Sequence, residues 1–373
     1  MSHDVAPRFL RLRGEPLPLL GHARVYVCGV TPYDVTHLGH AATYVWLDAA
    51  TRVLRHIGVA TEVVRNVTDV DDVLTAAAAQ AGMPYDAFAA MQQFQFDHDM
   101  NALSVRSPDH EPRAHVYVPQ VISLAQALLA RDVAYERQGS VYFRGGDVPV
   151  QAGVAPDDAL RLCAEYGEQP HDPLKQSPFD VPVWRASGPE DPAWPSPWGP
   201  GRPGWHAECT AMALTLLGSS VDLHAGGADL RFPHHAYESA QAEAATGVVP
   251  FARAWLHAGM VCVDGVKMAK STGNLVLVSD LLRDHPAAAL RLMVLDRPWA
   301  SPWDFTGAAL DAAESRLDAL YAAAGRPATH EPEAVAVVEE RLLDDLDVPG
   351  ALDHALEAGG GAARMLASVL ALG

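Results

Sequence analysis

Positive charge is scarce in this chain: 27 lysines and arginines stand against 46 aspartates and glutamates, a formal net charge of −19 over 373 residues. That balance provides no global field for a polyanion, so extensive nucleic-acid binding is disfavoured and only a local basic patch stays open. Cysteine is rarer still. The four, at 28, 163, 209 and 262, are too few and too scattered for a disulfide framework, which leaves metal binding or simple burial. No window holds the ~18 or more uncharged apolar residues of a membrane span. The N-terminal MSHDVAPRFLRLRG has no apolar signal core, so the cytoplasm is the expected location. Internal repeats are absent, as are low-complexity segments beyond alanine enrichment, and no G-x-x-x-x-G-K-[ST] loop offers itself to a nucleotide.

What is present is a globular composition, 49% hydrophobic and 20% charged. The length predicts one large α/β domain over 1–305 with an inserted region at about 73–200, then a helical segment over 306–373; a monomer is expected. Residues 24–28 read as a buried strand, 41–56 as a helix ending before Gly58, and 61–67 as a second strand. This β-α-β unit places its first connection, 29–40, at the carboxyl end of a parallel strand, where such sheets bind ligands. Helices are expected near 73–80 and 119–131, a strand at 140–144, an ordered Pro/Gly/Trp-rich loop at 188–204, and strands at 220–224 and 261–263.

Within the first connection lies His37-Leu38-Gly39-His40, at a helix start where backbone N–H groups and the helix dipole favour a phosphate and two imidazoles can reach it. A second basic element, Lys267-Met268-Ala269-Lys270-Ser271, sits between Gly265 and Gly273 and can neutralise charge on a departing pyrophosphate. Cys28 and Cys209, with His234 and Glu238 four apart on one helical face after Pro233, form a donor set that suits zinc. Spacing alone does not establish the metal, since a lone cysteine is more often just a buried small residue.

Together the two basic elements resemble the HIGH and KMSKS motifs of class I aminoacyl-tRNA synthetases, with Ala269 in place of a serine. Further ordered blocks are similar to the cysteinyl-tRNA-synthetase superfamily from residue 20 to about 305: Cys28-Gly29-Val30-Thr31, Asn66-Val67-Thr68-Asp69, Gly204-Trp205-His206 and Phe232-Pro233-His234-His235 among them. The resemblance implies a Rossmann-type catalytic domain, ATP as substrate with Mg2+, and one Zn2+ held by Cys28, Cys209 and His234, with Glu238 as a further ligand. It implies His37, His40, Lys267 and Lys270 as phosphate-handling residues. Gly29, Val30, Thr31, Thr43, Asn66, Val67, Thr68, Trp205, Gly227, Ala228, Asp229 and Val261 are implied around L-cysteine or its adenylate, with Asp229 pairing the substrate ammonium.

Pro32, the Asn274–Ser279 stretch and Glu165-Tyr166-Gly167-Glu168-Gln169-Pro170 resemble the mycothiol-pathway branch of that superfamily, whose acceptor is the amine of glucosaminyl-inositol. Glu238 resembles the tRNA-charging branch instead. Glucosaminyl-inositol is the expected partner; tRNA, another amine or carrier, and a non-catalytic cysteine sensor are the alternatives.

Overall fold

The computed structural model describes residues 8–32, 36–70, 72–189, 191–269, 272–327 and 331–373. Its centre is a four-stranded, wholly parallel sheet. Strand β1 (His22–Val30) leads through helix α1 (Leu38–His56) to β2 (Ala60–Val67). Much later in the chain, α2 (Trp205–Leu217) precedes β3 (Val221–Gly227), and α3 (His234–Thr246) connects it to β4 (Ala252–Ala258). The spatial order is β4-β3-β1-β2, with Val25 in register with both Val63 and Leu223. The chain leaves β1 toward one edge and β3 toward the other, so the carboxyl ends of these neighbours flank a topological switch point, where open α/β sheets bind ligands.

These elements form because of what they bury. β1 alternates little and is shielded on both faces, as parallel strands require: Val25, Tyr26 and Val27 are all buried. Helix α1 is equally enclosed, with Ala41, Ala42, Ala49 and Ala50 allowing close approach and Trp46 filling the core. Four helices, Gly307–Ala324, Glu331–Leu343, Val348–Ala358 and Gly360–Val369, complete the chain and share one continuous apolar core with α1 and the sheet.

Between β2 and α2 the chain forms two further bodies. Helices Asp72–Gln80 and Tyr85–Ala102 pair around a small cluster of Leu74, Ala78, Phe88 and Ala89. Strands Ala134–Arg137, Ser140–Phe143, Val181–Ala186 and Gly201–Pro203 then make an antiparallel sheet with a separate core around Trp184. The single strand read at 140–144 thus belongs to a four-stranded sheet. The described part of the 188–204 loop is ordered, as expected, by paired backbone bonds between Trp194 and Gly201 at 2.7 and 3.0 Å, and its end is itself a strand. A third small sheet, from Val261–Val263, Val266–Lys267 and Trp303–Asp304, presents Lys267. Among the described residues no helix is long and apolar enough to cross a membrane.

Candidate active site

A cavity of about 350 Å³ opens at the switch point between β1 and β3. Its floor comes from the end of β1: Cys28, Gly29 and Val30 line it, with Thr31 beyond. Only glycine fits at 29, because a Cβ there would lie 1.5 Å from the carbonyl oxygen of Asn66. That close approach lets the Gly29 N–H donate to Asn66 Oδ1 at 2.8 Å, while Asn66 Nδ2 donates to Thr68 Oγ1 at 3.0 Å. Asn66 and Thr68 thereby join the wall. Thr43, Trp205, Gly227, Asp229 and Val261 also line the cavity. Val67 and Ala228 do not. Val67 ends β2 fully buried, its N–H bonded to Pro112 O, and Ala228 opens a 3-10 turn behind Asp229.

Beneath the floor, ligand atoms of Cys28, Cys209, His234 and Glu238 all lie within 4.8 Å of one another, and all four residues are buried. Cys28 Sγ is 3.6 Å from Glu238 Oε2, and His234 Nε2 is 3.7 Å from Glu238 Oε1. A tetrahedral zinc with nitrogen, oxygen and sulfur ligands has donor edges of ~3.4–3.8 Å, so these separations fit. Burial, then the Cys209 thiol and the Glu238 charge, push the Cys28 thiol well up; burial also raises Cys209, against hydrogen bonds from Cys28 and Tyr26. Burial also works against ionised Glu238, but His234 and His224 outweigh it and hold the carboxyl below its ordinary range. A cation at this point would reverse the penalty on both thiols. The cluster can hold a metal ion.

A second donor set overlaps the first: Cys28 and Glu238 with His224 and His235, neither of which is among the ligands expected from the sequence. His235 Nε2 lies 3.3 Å from Cys28 Sγ, and His224 Nε2 lies 3.3 Å from Glu238 Oε2. Cys209 and His234 line the cavity whereas His224 and His235 do not, so the first set is the one a substrate can reach. Trp205 stacks on His234 with ring centroids 4.2 Å apart, and His206 Nδ1 lies 2.9 Å from His234 Nδ1, which fixes that ring. His206 and His235 stand in helices inside the quoted motif blocks without a role of their own, and His224 and His257, isolated in apolar strands, carry no periodic signal that joins them to the site.

At the cavity's other end, His37 caps α1 and its ring stacks on His40 at 3.8 Å. Burial, with His37 and Lys267 nearby, lowers the His40 pKa to about 3, so it is a neutral imidazole near pH 7. The backbone donors expected to be open here are engaged: Leu38 N–H donates to Val276 O at 2.8 Å and Gly39 N–H to His37 Nδ1 at 3.1 Å. The first of these bonds docks the chain following the lysine loop onto the helix start, bringing the two basic elements together. Lys267 lines the cavity, and Asn274 Oδ1 accepts from the Ala269 N–H at 2.9 Å. Lys270 lies outside the described residues. Tyr166, within the stretch 165–170 that resembles the mycothiol-pathway branch, also lines the cavity and stacks on Trp205.

Parallel-sheet topology, a switch-point cavity and paired basic elements define a class I aminoacyl-tRNA-synthetase-type catalytic domain. Solved-structure similarity agrees on the fold: Mycobacterium tuberculosis methionyl-tRNA synthetase in complex with methionyl-adenylate superposes with a TM-score of 0.65 at 17% identity, over 95% of this chain and 82% of that one. Residues 19–315 match the family described as tRNA synthetases class I (C) catalytic domain, and the chain belongs to that family. Among its relatives is the Acidothermus cellulolyticus L-cysteine:1D-myo-inositol 2-amino-2-deoxy-alpha-D-glucopyranoside ligase, 46% identical over 88% of this chain and 83% of its own length. The enzyme of that name from Thermobispora bispora is 41% identical over 93% and 91%. Halorhodospira halophila cysteine–tRNA ligase is 43% identical over 88% of this chain and 71% of its own.

Proposed function

We propose that this chain is a cytoplasmic ligase that activates L-cysteine with ATP and transfers the cysteinyl group to the amine of glucosaminyl-inositol. The observation that carries this reading is the buried thiol, imidazole and carboxylate cluster, placed at the floor of the same cavity whose rim holds His37, His40 and Lys267. Its donors suit zinc, held by Cys28, Cys209, His234 and Glu238. When bound, zinc supplies a soft, charged site that stabilises the substrate thiolate and gives a serine hydroxyl no equivalent bond.

The chain's own residues do the rest. Asp229 takes the substrate ammonium, and Trp205, Thr31 and Thr68 close around the amino acid. The cysteine carboxylate then attacks the α-phosphate of ATP, and pyrophosphate leaves. Lys267 and Lys270 offset the charge that develops on it, with Mg2+ accompanying the ATP, while neutral His40 serves as a hydrogen-bond donor rather than a cation. Gly29, Val30, Thr43, Asn66, Gly227 and Val261 shape the adenylate pocket. The acceptor amine attacks the adenylate carbonyl, the C–O bond to phosphate breaks, and the amide forms with AMP released. Val67 and Ala228, away from the cavity lining, act by supporting Thr68 and Asp229.

A cysteine–tRNA ligase is the second reading. Glu238 within the donor cluster favours it, since that residue matched the tRNA-charging branch. The net charge of −19 weighs against it. The test offers zinc-loaded protein ATP, cysteine, glucosaminyl-inositol and cysteine tRNA together and identifies the cysteinylated product by mass. The amide is the expected product; charged tRNA without amide would replace the first reading by the second.

A further inference from the structure

The Lys267 ammonium already has a partner inside the cavity. Its Nζ lies 2.9 Å from Asp229 Oδ2 and 3.5 Å from the Tyr166 hydroxyl, 5.8 Å from the centroid of the Tyr166 ring. Asp229 Oδ1 is packed against Gly227, only 2.4 Å from where a Cβ on that glycine would stand. Oδ2 is therefore the oxygen that meets a cation. In the reading given above, Asp229 is also the carboxylate that takes the substrate's α-ammonium, and a lysine ammonium and an α-ammonium make the same demand on it. Two cations cannot share one carboxylate oxygen without mutual repulsion.

We propose that Lys267 is a specificity-determining residue: it competes with the substrate α-ammonium for Asp229, so that only a thiol acid bearing an α-amine releases Lys267 toward the triphosphate. This rests on the cavity being the cysteine and ATP site. Selection is then divided between two ends of one small molecule. The metal-binding cluster reads the thiol, and the Asp229–Lys267 pair reads the amine by making nucleotide engagement depend on it. Tyr166, through its hydroxyl and ring face, holds Lys267 in the paired position. The coupling is reciprocal, because a phosphate that draws Lys267 away leaves Asp229 open for the amino acid.

The test is calorimetric binding of a non-hydrolysable ATP analogue, α,β-methylene ATP, to the full zinc-loaded chain. Cysteine is expected to tighten the analogue by about fivefold or more. 3-Mercaptopropionate, which has the thiol and carboxylate but no amine, is expected to leave its affinity unchanged. Equal tightening by both thiol acids would overturn the proposal without recourse to any variant. Asp229→Asn is expected to tighten the analogue in the absence of amino acid. Removing a carboxylate favours any anion, so the same change is also made in Lys267→Met. An effect that vanishes there supports release through Lys267, whereas one that persists undiminished contradicts it. Failure of the underlying reading has a different signature, the absence of cysteine-dependent pyrophosphate exchange. Normal exchange without coupling would sink this inference alone.

Discussion

With Glu238 fully buried, 3.6 Å from Cys28 Sγ and 3.7 Å from His234 Nε2, its charge is compensated among the described residues by neighbouring imidazoles and the Cys28 thiol, and a cation would compensate it further. Glu238→Gln keeps the shape and removes the charge. It is expected to weaken zinc binding by at least ~10-fold, measured by competition with a chromophoric chelator; unchanged affinity would take Glu238 out of the ligand set. Cys209→Ala is expected to lower bound zinc below one equivalent per chain and to remove cysteine-dependent exchange with it. At this scale the sequence was informative where chemistry is local. His37 and His40 are three residues apart and meet across one helix start, so their pairing was visible. The four donors at 28, 209, 234 and 238 suit zinc by type, but spacing alone could not join them, because the β1, α2 and α3 positions that hold them are far apart in the chain. The Lys267–Asp229 pair was hidden for the same reason: each residue had been given a separate partner.

Among the elements, α1 is tied to the end of the chain by one buried side chain. Arg291 donates to Asp48 Oδ2 on α1, to Leu103 O at 3.1 Å and to Leu370 O in the terminal helical region. Arg291→Met would leave the buried Asp48 carboxylate with Arg52 Nε, at 2.6 Å, as its remaining charged partner and free two carbonyls. The expected cost is ~2–4 kcal/mol, read as a lower urea midpoint with an unchanged slope. Periodicity made α1 and its flanking strands legible, since Gly58 and the alternation of apolar positions mark their limits. The antiparallel sheet was harder. Strands Val181–Ala186 and Gly201–Pro203 are short, contain prolines and are separated by a loop rich in glycine and tryptophan, so only 140–144 read as a strand. Pairing between strands some 40 residues apart leaves no local mark.

For the whole molecule, several buried or half-buried histidines make acid stability a property of the site region. His40, His206 and His257 each have pKa values lowered to about 3, chiefly by burial. Their unfolded value is ~6.5. Between these limits the unfolded chain binds more protons than the folded one, so stability must rise with pH through that window and level off above it. Urea midpoints measured from pH 4 to 8 are expected to increase up to about 6.5 and then flatten; a flat profile across the range would mean these imidazoles are protonated in place. The low positive charge noted first is consistent with this arrangement, because the described basic groups of the two motifs, His37, His40 and Lys267, all line one cavity.

Cysteine activation at that cavity is the central claim, and ATP–pyrophosphate exchange measures it before any acceptor is involved. Zinc-loaded protein given ATP and labelled pyrophosphate is expected to exchange with cysteine and, at equal concentration, to show no exchange with serine. Exchange with neither amino acid would contradict adenylation, and equal exchange with both would contradict selection through the Cys28, Cys209, His234 and Glu238 cluster.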